Sequence, residues 1–97
     1  MVDPEGYYCE KNGERIPFPP KEMAVLVHLL QNAGNVVTPE EIYQTVWGNA
    51  YGDITTVAVH IQRIRKKIEK DPSNPEFIKT VHGLGYTFME SAVQQRS

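Results

Sequence analysis

Five of the ten Lys and Arg residues of this 97-residue chain fall in one stretch, TTVAVHIQRIRKKIEKD, from Thr55 to Asp71. They are Arg63, Arg65, Lys66, Lys67 and Lys70. A guanidinium donates in a rigid fork that fits phosphate and the acceptor edge of guanine, whereas an ammonium acts as a mobile point charge. Gln62 adds an amide, the side chain whose geometry pairs with adenine. This is the chemistry of holding a polyanion, and it needs no bond to be made or broken.

Helical phase decides what these groups face. With Val57 at zero and a step of about 100° per residue, Ile61, Ile64 and Ile68 fall close to it and form a buried stripe. Thr55, Val59, Gln62, Arg63, Lys66 and Lys70 gather on the opposite side. His60, Arg65 and Lys67 flank the stripe, their stems lying over apolar surface. A solvated face is the ordinary reading of such a pattern. Two features favour nucleic acid. Glu69 is the sole anion between Thr55 and Lys70, although a helix built for solubility mixes signs. Val59 gains nothing from water, whereas an apolar contact reads the thymine methyl. A helix from Thr55 to about Lys70 is about 24 Å long and suits the DNA major groove.

The whole chain carries a net charge of -2, unlike a typical nucleic-acid binder. Its halves differ. Residues 1–53 hold three cations against eight anions, and residues 54–97 hold seven against four. The length suits one small domain, and no apolar run is long enough to span a bilayer. A single cysteine, Cys9, rules out an intrachain disulfide and fits a reducing, cytoplasmic setting. Cys9, His28, His60 and His82 form no nucleophile, metal or phosphate motif, so neither enzyme activity nor a cofactor is expected.

The elements around the cationic helix are readable. Asn12-Gly13 predicts a hairpin of two short strands, stopped by Pro17, Pro19 and Pro20. Met23, Leu26, Val27, Leu30 and Ala33 predict a buried helix from Pro20, with Gly34 as its left-handed cap. His28 reads as a partly exposed helix residue. Val36-Val37 suits one short strand. Thr38-Pro39-Glu40-Glu41 predicts a reciprocal capping box opening a short helix that buries Ile42 and Val46 and closes at Trp47-Gly48. After Asp71, residues 77–89 read as a hairpin with a turn at His82-Gly83-Leu84-Gly85. The expected divisions are 1–19, 20–90 and a frayed polar tail at 91–97.

Taken in order, KEMAVLVHLLQNAGNVVTPEEIYQTVWG, TTVAVHIQRIRKKIEKDP and IKTVHGLGYTF resemble the OmpR/PhoB-type effector domain of two-component response regulators, over about Phe18 to Phe88. The resemblance implies an α+β winged helix-turn-helix: an antiparallel N-terminal sheet, three helices and a C-terminal β-hairpin, the wing. It implies a recognition helix at 55–70 in the major groove and the wing turn at the adjacent minor groove. Thr56, Val59, His60, Arg63 and Arg65 match family positions at or near DNA. Trp47, Thr80 and Tyr86 match positions near the sugar-phosphate backbone. The loop Gly48, Asn49, Ala50, Tyr51, Gly52, Asp53 and Ile54 matches a segment that touches RNA polymerase. The implied partners are duplex DNA carrying promoter direct repeats, on which the chain, a monomer when free, pairs as a head-to-tail dimer, and a receiver domain upstream.

Departures qualify the match. Thr55, Gln62, His82 and Thr87 stand where arginine is frequent, so affinity or target sequence is expected to differ. His82 reads first as a plain turn residue and second as a contact that charges below about pH 6.5. The family has four strands before its first helix, and this sequence has room for about two, which fits a fragment better than a stand-alone variant. A winged-helix protein-interaction module is the competing function.

Overall fold

The computed structural model describes residues 2–48 and 52–90. Strand β1 (Val2–Asp3) pairs with β2 (Tyr8–Lys11), and β2 pairs with β3 (Glu14–Pro17), giving an antiparallel sheet in the order β1-β2-β3. The expected hairpin forms with Lys11 opposite Glu14. Asn12 and Gly13 both take positive φ, 54° and 83°, as a two-residue turn of this hand requires. The third strand is a correction. Two residues, Val2 opposite Cys9 and Asp3 opposite Tyr8, are too few to leave a periodic signature.

Helix α1 (Pro20–Gln31) begins with proline at its first position and Glu22 in its first turn. Met23, Val25, Leu26 and Leu29 are buried. The helix ends at Gln31, and Gly34 takes a φ of 88° three residues later. Val37 forms an isolated bridge with Tyr86 in place of the expected short strand. Helix α2 (Pro39–Trp47) is capped by Thr38, whose hydroxyl accepts from the Glu41 amide at 3.1 Å. The other half of the expected capping box is replaced. The Glu41 carboxylate lies 3.4 Å from His28 Nε2, and His28 is partly exposed, as expected. Gly48, at φ 71°, closes α2.

Helix α3 spans Thr55–Ile68, two residues shorter than expected. Glu69 turns out of the helix into extended backbone, so Lys70 leaves the helical face. Val57, Ile61, Ile64 and Ile68 are buried as the phase predicts. They join residues of α1 and α2, Ile78 and Phe88 in one core. Fully burying a side chain of that size contributes about 1.5–3 kcal/mol, so the stripe alone fixes which face of α3 turns outward.

The wing is β4 (Ile78–Val81) with β5 (Gly85–Phe88), antiparallel, Ile78 opposite Phe88 and Val81 opposite Gly85. Its turn is the three residues His82, Gly83 and Leu84, and Gly85 belongs to the strand. The two glycines do different work. Gly83 takes a φ of 77° within the turn. At Gly85 a Cβ would strike the Val37 carbonyl, so a bare backbone is what lets β5 bridge to Val37. Among the described residues no helix is long and apolar enough to cross a membrane.

Candidate nucleic-acid interface

The outward face of α3 is open. Thr55, Val59, Gln62, Arg63 and Lys66 are exposed, and Val59 retains 45 % of its accessible area. Gln62, Arg63 and Lys66 make no hydrogen bond or ion pair with the described residues. Val59, Gln62, Arg63 and Lys66 stand at i, i+3, i+4 and i+7, so they form one row along the helix. The Thr55 hydroxyl donates to Asp53 Oδ1 at 2.6 Å, and the Thr55 amide donates to the same oxygen at 3.0 Å. These two bonds fasten the start of α3 and hold the Asp53 carboxyl below the usual carboxylate range. Thr56, next along, is half-buried.

The flanking cations are already engaged. Arg65 donates from Nε and Nη2 to the Ile78 carbonyl at 3.2 and 2.9 Å, and from Nη2 to Thr80 Oγ1 at 2.8 Å. Its guanidinium also lies 5.8 Å from the Tyr86 ring centroid. Arg65, Thr80 and Tyr86 therefore form one cluster that joins α3 to the wing. Lys67 donates to Glu22 Oε1 at 2.7 Å and sits 4.7 Å from the centre of the Phe18 ring. Its charge faces α1 and not the row of exposed groups. His60 donates from Nδ1 to the Thr56 carbonyl at 2.8 Å, since a carbonyl accepts only. The ring meets Trp47 edge-on at 5.0 Å between centroids. Trp47 is half-buried and stacks on Tyr43 at 5.1 Å.

Glu69 has a role that the sequence reading did not find. Only 4 % exposed, its carboxylate accepts from the backbone amides of Glu76, Phe77 and Ile78 at 2.7–3.1 Å. A buried charge is tolerated when several donors converge on it. Its lone negative sign among cations therefore reflects the start of β4 and has no bearing on the solvated face. The anomaly of a single anion was the available signal, and the residue's separation from residues 76–78 hid its meaning.

At the wing tip His82, Gly83 and Leu84 are exposed, Leu84 at 60 %. Thr87 is half-buried. Of the loop between α2 and α3, Asn49, Ala50 and Tyr51 lie outside the described residues, as does the tail at 91–97. Gly52 abuts the Tyr43 hydroxyl, and Ile54 packs partly against the core. No group of three metal-ligating side chains occurs among the described residues.

Comparison with known proteins agrees with this arrangement. A family model described as "Transcriptional regulatory protein, C terminal" matches residues 13–88. The sensory transduction protein RegX3 of Mycolicibacterium smegmatis is 45 % identical over 86 residues, which are 88 % of this chain and 38 % of that protein. The chain thus spans little more than a third of that relative's length. The response regulator DrrB of Thermotoga maritima, an OmpR/PhoB homolog, superimposes with a TM-score of 0.82 at 42 % identity, over 91 % of this chain and 40 % of that one. The DNA-binding domain of Klebsiella pneumoniae RstA, solved in complex with the RstA box, gives a TM-score of 0.80 at 29 % identity over 91 % and 88 %. The recognition helix, the wing and the family match together identify the chain as a member of the OmpR/PhoB-type C-terminal family of transcriptional regulatory proteins, the DNA-binding effector domains of response regulators.

Proposed function

We propose that the chain binds duplex DNA by laying the outward row of α3 in the major groove and its wing at the neighbouring minor groove. The row carries this reading: four exposed side chains at helical spacing, two of them cationic, with no partner for their polar side-chain groups among the described residues. Arg63 reads a guanine edge, Gln62 an adenine edge, and Val59 packs on a thymine methyl. Lys66 meets phosphate, and Lys70 does so from beyond the helix end. Thr55 and Thr56 border the row at its start. His82 and Leu84 meet the minor groove. Arg65, Thr80, Tyr86, His60 and Trp47 hold the two reading elements in place and line the approach of the backbone. Lys67 contributes to packing.

In the longer protein, this domain follows a receiver domain in the cytoplasm and pairs head to tail on direct repeats. The loop from Gly48 to Ile54 faces RNA polymerase there. A titration with duplex DNA across salt concentrations tests the DNA reading. Affinity is expected to fall with salt, with a log–log slope of about -0.9 for each phosphate neutralised. Binding insensitive to ionic strength would favour a protein-interaction module instead.

A further inference from the structure

We infer that Glu69 and Arg65, one turn apart at the end of α3, are positioning residues that set the offset between the recognition helix and the wing, and so decide whether one duplex can fill both reading surfaces. The inference rests on the DNA reading above and adds a division of labour to it.

The two residues approach the same strand from one helix end. Glu69 gathers the amides of Glu76, Phe77 and Ile78, the residues leading into β4. Arg65 takes the carbonyl of Ile78 and the hydroxyl of Thr80. Ile78 is thus held through its amide by a carboxylate and through its carbonyl by a guanidinium. Charge-assisted bonds of this kind are short and directional. The other wing strand is anchored independently. Tyr86 and Val37 exchange N–H···O bonds at 2.8 and 2.9 Å, and Gly34 donates to the Phe88 carbonyl at 2.9 Å. Loss of the charged pair therefore leaves the wing attached to the body through β5. What changes is the angle of β4 to α3. Arg65 and Glu69 need not touch DNA for this: Glu69 is buried, and the Arg65 fork is taken up by the Ile78 carbonyl and the Thr80 hydroxyl.

The test uses this 97-residue chain and a duplex it selects from a random pool. Guanine N7 methylation protection reports the major groove, and hydroxyl-radical cleavage reports the flanking minor groove. Glu69→Gln is isosteric and turns one acceptor oxygen into a donor facing backbone donors. It is expected to weaken binding about tenfold while major-groove protection persists and the flanking protection disappears. Combined with a blunted wing tip, His82→Ala with Leu84→Ala, the penalty of Glu69→Gln should vanish, because the wing no longer contributes. A penalty that adds in full to that of the tip variant, or a loss spread evenly over both footprints, overturns the inference. If Glu69→Gln does not melt cooperatively, Arg65→Lys decides by the same readouts, since it keeps the charge and loses the fork. If the unaltered chain protects no major groove, the DNA reading itself fails, and that result is separate from the fate of the pair.

Discussion

Lys67 Nζ lies 2.7 Å from Glu22 Oε1, and this pair fastens the recognition helix to α1 on the side away from the exposed row. Glu22 is only 4 % exposed and no other partner of its carboxylate is seen among the described residues. Lys67→Ala would therefore leave a buried carboxylate without its donor. The expected loss is about 1–3 kcal/mol, read as a lower thermal midpoint. DNA affinity at a temperature where the variant is folded should stay close to that of the parent. A large affinity loss with unchanged stability would return Lys67 to the DNA surface.

Arg63 and Lys66 should separate in kind. Arg63→Ala is expected to cost about 1–3 kcal/mol on the preferred duplex and to relax discrimination at one base pair. Lys66→Ala should weaken all duplexes about equally and reduce the salt slope by about one. Binding curves on matched and mismatched duplexes at two salt concentrations resolve both effects. If neither variant alters affinity, α3 does not enter the groove.

This division was partly legible in the chain itself. The isoleucine spacing fixed the phase of α3, because burial of four large side chains outweighs any preference of the polar ones. It therefore placed Arg63, Lys66 and Val59 correctly on the outside. The same wheel could only place His60, Arg65 and Lys67 beside the stripe. Their partners are the Thr56 carbonyl, the Ile78 carbonyl and Glu22, and for Arg65 and Lys67 these belong to other elements. Periodicity carries no information about which distant acceptor a long side chain will choose. Glu69 was misread for the same reason: periodicity continues past Ile68, but three amides at residues 76–78 offer its carboxylate more than another helical turn does.

The glycines of the wing make a paired prediction. Gly83 has a φ of 77° with open space where a Cβ would be, so Gly83→Ala carries a purely conformational cost of about 1–2 kcal/mol. Gly85→Ala meets the Val37 carbonyl and must break the bridge. Amide exchange should show Val37 and Tyr86 losing protection in Gly85→Ala and keeping it in Gly83→Ala. Equal protection in both variants would show that the close approach at Gly85 has no structural weight.

The start of α3 should respond to acid. Asp53 accepts from the Thr55 hydroxyl and amide, and these bonds lower its pKa below the ordinary carboxylate value. A depressed folded pKa means the unfolded chain binds the proton more readily. The contribution is therefore complete above the unfolded pKa of about 3.9 and is lost as pH falls through the folded value. Amides in the first turn of α3 should exchange faster below about pH 4 than global unfolding accounts for, once the intrinsic pH dependence of exchange is removed. In Asp53→Ala that acid-specific step should be absent, with the first turn frayed at neutral pH as well. An acid step that survives the substitution would assign it to another carboxylate and leave the Asp53–Thr55 bonds without a part in holding the helix start.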